Sequence, residues 1–599
     1  MRDSRPIRLL LAMASVCCLT WQAGAAVGTV IPSPRFASFG AGTFVLRRPR
    51  VSVQDLQRVK DDGLAREAYV LSVSSTGIVV RASAGAGFFY ALKTLEQLSV
   101  PDGKSVRIPC CEISDEPKFG YRGFMLDESR HFFGADVVKR LIDRMSRYKL
   151  NVLHWHLTDG NGWRLAIDAY PELTKKGATR RIGRLRAQRF FRDVKTGQYG
   201  PYFYTKDEIR DIVAYAHRRN VRIVPEIEFP GHEGAAIESY PALYCFGDGS
   251  KPQDPSAKIR GDEICLASGF TFEFFANVLK EVCELFPGEF VHVGGDECMG
   301  GNWQACAKCR AKMAELGLKT AAEYQAWGVA RLHAELAKHG KRLIGWDPVF
   351  TGGGLPSDAA VMSYRGIRPG INAAQAGHDV VMAPAGICYL DFPQGLAGDP
   401  YEYQVFSNPV RVGDLYAFNP LFAVPKEAQG RILGGECPLW TEFVCTEEEL
   451  DWRVWPRLCA FAEALWTAPD PKTVAKTAPA FLQRLETERS WLKASGANAA
   501  PLGPLSPSTA ELLPDVKTVT PREGLHVILN KEPRVSDITF VREASVPAGE
   551  CELTIVQTSM KARVSDAAGE AKTLEIVRRL SERKRGDVTV VRCGVFKTW

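Results

Sequence analysis

The chain has 599 residues, of which 45 % are hydrophobic and 24 % charged, with a formal net charge of +7 at pH 7. This length exceeds one ordinary domain, and the composition excludes disordered, collagen-like and small disulfide-scaffold classes. The positive charge is spread without a long Lys or Arg run, so it leaves no electrostatic footprint for nucleic acid.

Arg2, Arg5 and Arg8 precede the apolar stretch LLLAMASVCCLTW (9–21), and AGAA (23–26) follows it. That order is the signature of a secretory signal peptide over residues 1–26. Its apolar part is short for a bilayer span, and no later segment has the unbroken apolar length of a transmembrane helix. Export to a periplasmic or extracellular location is expected. Of the sixteen cysteines, Cys17 and Cys18 leave with the signal; some of the remaining fourteen should then pair, and Cys245 with Cys265, and Cys551 with Cys593, are plausible bridges. Cys298, Cys306 and Cys309 lie in CMGGNWQACAKC. One CxxC without a second CxxC or a paired His is a weak metal signal, so disulfides or free thiols are favoured and no metal is expected.

From residue 27 to 115 the pattern reads as a small α+β domain. LRRPRVSVQ (46–54) and TGIVVRAS (76–83) resemble strands, and GAGFFYALKTLEQL (85–98) an amphipathic helix. Between 116 and 496 strands and helices alternate. Eight short runs stand out: 121–127, 151–157, 221–227, 290–294, 342–347, 360–364, 379–383 and 434–440. Amphipathic stretches such as 135–148, 205–219 and 272–286 separate most of them, and a trailing helix covers 474–496. Eight βα units predict an α/β (β/α)₈ TIM barrel. A doubly wound sheet would want a Gly-rich loop after its first strand, and YRGFMLDESRHFF is not one. A linker rich in Pro, Ala and Ser (497–514) leads to a small β domain (515–599), with strands in LHVILN, ITFV, CELTIVQT, TLEIV and DVTVVRCGVF.

Barrel chemistry gathers at the C-terminal ends of strands. Those ends supply Asp159, Glu226, Glu228, His232, Asp296, Glu297, Trp346, Asp347, Tyr364, Tyr389, Asp391, Trp440 and Glu442. Carboxylates beside flat aromatic rings suit a sugar, whose C–H faces stack while its hydroxyls need acceptors. Asp296 and Glu297 are neighbours in EFVHVGGDECMG (289–300), where a continuing strand would point them to opposite faces. Gly294 and Gly295 can relax the backbone there. Hydrolases using two carboxylates hold them about 5–5.5 Å apart when retaining and about 6.5–9.5 Å apart when inverting, and adjacent residues fit neither scheme well. Taken alone the pair could merely cap a helix. Buried, hydrogen-bonded structural roles are expected for His154 and His156, and structural ion pairing for Glu226 and Glu228. Trp163, Trp303, Trp452, Trp455 and Trp466 read as packing residues.

HVGGDE, with HWHLTDGNGWR (154–164), PEIEFPGH (225–232), IGWD (344–347) and LWTE (439–442), resembles the family 20 glycoside hydrolases, the β-N-acetylhexosaminidases. The likeness covers about 115–470 and, weakly, the α+β domain before it; it leaves the C-terminal β domain unexplained. It implies a retaining exo-glycosidase in which the 2-acetamido group of the substrate attacks C1 and forms an oxazolinium. It also implies N-acetylhexosamine-containing glycans as partners, and no cofactor. Asp296 would hold the acetamido N–H and Tyr389 the acetamido oxygen. Glu297 would be acid, then base, and partial burial beside anionic Asp296 would favour its protonated form. Asp159 and His232 would support Glu297. Arg122 would bind O3 and O4, with Asp391 and Glu442 on O4 and O6; Trp346, Tyr364 and Trp440 would wall the pocket. The chain departs from the family pattern at Asp159-Gly160-Asn161, at Tyr364 where Trp is common, and at Glu436-Cys437-Pro438. The alternatives are lacto-N-biosidase action or a non-catalytic carbohydrate-binding protein.

Overall fold

The structure, a computed structural model, describes residues 30–181, 198–253, 258–395, 409–470 and 473–502, and beyond these the backbone of strands between 525 and 597. The expected signal peptide, most of the linker, the CELTIVQT run and Cys551 lie outside the described residues.

The N-terminal unit is a six-stranded sheet built from β1 (Phe36–Leu46), β2 (Leu56–Lys60), β3 (Tyr69–Ser74), β4 (Gly77–Ala82), β5 (Val100–Asp102) and β6 (Ser105–Asp115). The order is β1-β6-β3-β4-β2, with β5 on β6. Helix α1 (Gly85–Leu98) packs Tyr90, Ala91, Leu95 and Leu98 onto Leu71, Ile78, Val80 and Ile108. The expected strand at 46–54 does not form. Pro49 has no N–H for a ladder, and Asp55 accepts from the Ser52 amide (2.7 Å) and hydroxyl (2.9 Å), closing a helical turn over Val53–Asp55.

Eight parallel strands close the barrel: β7 (Tyr121–Asp127), β8 (Val152–His156), β9 (Arg222–Glu226), β10 (Phe290–His292), β11 (Arg342–Trp346), β12 (Ala360–Ser363), β13 (Val380–Met382) and β14 (Ile432–Leu439). Each lies within a few residues of an expected run. Their near-complete burial explains the unbroken apolar character that makes such strands readable. Helix α2 (Ala135–Arg147) turns Val138, Leu141, Ile142 and Met145 inward. Helix α3 (Lys206–His217) starts at a capping box, where Thr205 accepts from the Glu208 amide (3.3 Å) and Glu208 accepts from the Thr205 amide (2.8 Å). Helix α4 (Gly269–Leu285) precedes β10, α5 (Ala321–Lys338) precedes β11, and α6 (Arg457–Thr467) and α7 (Val474–Ala494) follow β14. Among the described residues no helix is long and apolar enough to cross a membrane.

Buried polar contacts tie sheet to barrel. Asp115 accepts from Lys149 Nζ (2.9 Å), the Tyr69 hydroxyl (2.7 Å) and Trp466 Nε1 (2.8 Å). Arg122 pairs with Glu67 (2.8 Å), donates to the Tyr90 hydroxyl (2.9 Å), and donates to the carbonyls of Lys149 (2.8 Å) and Phe119 (2.7 Å). Past the barrel, Leu525–Leu529, Asp537–Arg542, Lys561–Ser565, Ala571–Ile576 and Phe596–Lys597 form one sheet, and Arg579–Arg585 pairs with Val588–Cys593.

Candidate active site

The sequence reading placed Arg122 on the sugar, and the structure corrects this. Arg122 is the second residue of β7, at the N-terminal end of the barrel, with its guanidinium spent on Glu67, Tyr90 and two carbonyls. The arginine at the working end is Arg130, three residues beyond Asp127. Its guanidinium donates to Asp127 (3.2 Å), pairs with Asp159 (2.7 Å), lies 3.8 Å from Glu442 and sits 4.9 Å above the Trp440 ring. Asp127 also accepts from the Ser129 amide (2.9 Å) and holds Nδ1 of His156 (3.0 Å), fixing the turn that carries Arg130. The rule that barrels work at strand C-termini would have selected Arg130.

Below the mouth the barrel is filled by a polar layer. Glu226 takes Nε2 of His154 (3.0 Å), Nδ1 of His292 (2.8 Å) and the indole N–H of Trp346 (2.8 Å). Glu436, at one of the departures from the family pattern, accepts from the Tyr121 hydroxyl (2.7 Å) and meets Nδ1 of His154 (2.8 Å). Burial lowers the affinity of His154 for a proton, yet Glu436 and Glu226 outweigh it and lift its pKa to about 9. Acids and histidines sit wholly buried here as close ion pairs, with His154 Nε2, Glu226 Oε2 and His292 Nε2 left without a hydrogen bond.

The strand alternation problem at the acidic pair is solved by glycine. β10 ends at His292, and Gly294 (φ 62°) and Gly295 (φ 97°) both turn through the left-handed region. A Cβ on Gly294 would lie 1.7 Å from Glu228 Oε2, and one on Gly295 2.3 Å from Val349. Only glycines fit, and the chain re-emerges with both acids at the mouth. Asp296 is buried (9 % exposed), with Oδ1 lacking any partner. Burial pushes its carboxyl up to about 6, opposed by His232 and reinforced by Glu226 and Glu297. Glu297 adopts a left-handed φ of 46°, and its side chain is 61 % exposed. The partial burial expected for it is not found. Its carboxylate faces outward.

His232, also left-handed (φ 56°), bridges the two sides. Its Nδ1 is 3.3 Å from Asp159, and its Nε2 is 3.6 Å from Asp296 and 3.7 Å from Glu297. Burial disfavours its charged form, but Asp159 and Asp296 hold the imidazole well above its usual range. Glu228 is a further residue whose role the sequence left open. It lies 3.2 Å from Nε2 of His156, its Oε2 is unpartnered, and burial beside Asp296 and Glu226 holds its carboxyl well above the ordinary range.

The opposite wall comes from the last four strands. Trp346, Tyr364 and Trp440 form an aromatic corner, with ring centres 5.5 Å (Trp346–Tyr364) and 5.9 Å (Trp346–Trp440) apart. Asp347 accepts from the amides of Tyr364 (2.9 Å) and Arg365 (3.1 Å), which fixes the corner. Tyr389 stands 6.3 Å from Trp440, almost fully buried. Asp391 is buried with Oδ1 unpartnered, and burial together with Glu442 pushes its carboxyl up to about 7. Buried acceptors without partners at Asp296, Glu228 and Asp391 are costly unless a ligand supplies donors. Beside an aromatic corner and a stacked arginine, they fit a pyranose bearing hydroxyls and an amide.

The glycosyl hydrolase family 20 catalytic domain matches residues 119–469, and domain 2 of the same family matches 49–116. The chain belongs to glycoside hydrolase family 20. A β-hexosaminidase of Porphyromonas gingivalis is 40 % identical over 450 residues, 73 % of this chain and 55 % of that relative. A β-hexosaminidase of Vibrio furnissii is 38 % identical over 399 residues, 66 % of this chain and 64 % of the relative. The chain thus spans between half and two thirds of the length of these two relatives. Among solved structures, a family 20 exo-β-N-acetylglucosaminidase from Vibrio harveyi, in complex with N-acetylglucosamine, superposes with a TM-score of 0.71 at 32 % identity, covering 80 % of this chain and 79 % of its own. In family 20 terms, the barrel is the catalytic domain, and the α+β sheet before it is domain 2.

Proposed function

We propose that the protein is an exported exo-β-N-acetylhexosaminidase. It removes terminal, non-reducing β-linked N-acetylglucosamine or N-acetylgalactosamine from glycans, with retention and with the substrate's amide as nucleophile. The observation that carries this is the turn at 294–297, where a buried carboxylate with a free oxygen (Asp296) is joined directly to an exposed one (Glu297). Asp296 accepts the acetamido N–H and orients the carbonyl oxygen towards C1. Tyr389 donates to that oxygen from the facing wall, and Glu297 protonates the departing oxygen. The oxazolinium carries positive charge that Asp296 balances. Glu297, now a carboxylate, takes a proton from the water that reopens it. Intramolecular attack in an aligned pair can supply about 7–11 kcal/mol, so no second enzyme nucleophile is required. Family 20 is a known exception to the two-carboxylate scheme.

Asp159 keeps His232 charged near both acids, which steadies the relay. Arg130, stacked on Trp440 and flanked by Asp159 and Glu442, takes the role first assigned to Arg122, binding the ring hydroxyls with Asp391. The names of the Porphyromonas, Vibrio furnissii and Vibrio harveyi proteins support this reading. Hydrolysis of aryl β-N-acetylglucosaminide, aryl β-N-acetylgalactosaminide and an aryl β-lacto-N-bioside by the folded chain tests it. Release of a single N-acetylhexosamine is the expected result, whereas release of disaccharides alone would point to lacto-N-biosidase action. Sugar binding without turnover of any of these would overturn catalysis.

A further inference from the structure

Four cysteines from two loops meet beside the candidate active site. Cys245, Cys265, Cys306 and Cys309 are all buried and unoxidised, and their sulfurs lie within 4.8 Å of one another. The expected bridge between Cys245 and Cys265 is not present. Instead both face Cys309, at 3.7 Å and 3.6 Å. A disulfide requires about 2.05 Å between sulfurs. Zinc thiolate bonds of about 2.3 Å place the corners of a tetrahedron about 3.8 Å apart. The measured separations match the second geometry. The Cys309 amide also donates to the Cys306 sulfur, so a backbone N–H already supports one thiolate of the CxxC pair.

We infer that these four residues form a closed structural zinc site. It joins the loop after β9, which carries His232, to the loop after β10, which carries Asp296 and Glu297. The join is reinforced around it. Glu263, two residues before Cys265, accepts from the amides of Met299 (2.9 Å), Gly300 (3.1 Å) and Asn302 (3.3 Å), and the Trp303 indole donates to the Ile264 carbonyl (2.8 Å). The third and fourth loops of the mouth thus share one anchor. Loading it costs four thiol protons and releases no electrons. The proposal does not depend on the assigned activity.

The test uses the full chain purified without chelator. Elemental analysis should find about one zinc per chain, and X-ray absorption at the zinc edge should show four sulfur neighbours at about 2.3 Å. Cys309→Ser should cut zinc content at least about tenfold and lower the melting temperature by about 4 °C or more. Iron in place of zinc, or zinc bound by nitrogen and oxygen, would overturn the assignment. So would a metal-free protein in which peptide mapping finds Cys245, Cys265, Cys306 and Cys309 paired in disulfides. If Cys309→Ser does not fold, the wild-type metal content and sulfur shell decide alone. If it folds, loses zinc and melts with the wild type, the structural role is wrong.

Discussion

Single residues divide the chemistry of the mouth between them. Glu297→Gln removes the proton that the leaving group needs, so kcat on an alkyl or sugar leaving group should fall about 10²–10⁴-fold. A better leaving group, such as 2,4-dinitrophenol, should recover much of the first step, and equal losses on both would contradict the acid role. Asp296 must be anionic to hold the amide, and burial sets its carboxyl near 6. A raised acid pKa means the working charge is present above that value and lost below it. The acid limb of kcat/KM should therefore fall as pH drops through about 6, and Asp296→Asn should lose most activity and that limb together. An acid limb unchanged in the residual activity of the variant would move the titration to another group.

At the scale of elements, Arg122 near the start of β7 and Arg130 beyond its end separate stability from binding. Arg122 joins the barrel to the N-terminal sheet through Glu67, a partly exposed partner. Arg122→Met should cost stability, towards the low end of the roughly 3–5 kcal/mol expected when one member of a buried pair is removed, and leave KM unchanged. Arg130→Lys should do the reverse, raising KM about tenfold or more as the planar stack and fork are lost. Denaturation midpoints and initial rates on both variants check the pair. The confusion between them shows what the sequence made legible. The barrel strands were readable because burial on both faces writes continuous apolar runs, and the acidic pair because two glycines interrupt one of them. Which end of a strand faces the mouth is equally legible from chain direction, and it favours Arg130, beyond β7, over Arg122 within it. The cysteine cluster was not legible. Its ligands come from four positions in two loops, 44 and 64 residues apart for the contacts Cys309 makes. A search for a second CxxC cannot find that arrangement. The strand expected at 46–54 failed for a local reason: Pro49 and the Ser52–Asp55 cap outweighed its β-branched residues.

For the whole molecule, a buried polar core, an aromatic corner and a pair of adjacent acids converge on one idea, that the substrate brings its own nucleophile. A thiazoline that copies the cyclised amide should inhibit competitively and bind far more tightly than N-acetylglucosamine, since it resembles the charged intermediate. Indifference to it would count against cyclisation. The most direct test varies the nucleophile itself. Aryl glucosaminides carrying N-acetyl, N-fluoroacetyl, N-difluoroacetyl and N-trifluoroacetyl groups differ little in size but steeply in carbonyl basicity. If the amide oxygen attacks C1, log kcat/KM should fall steeply and steadily with each added fluorine. A flat series would mean that an enzyme carboxylate attacks instead, and Asp296 would then need a different role.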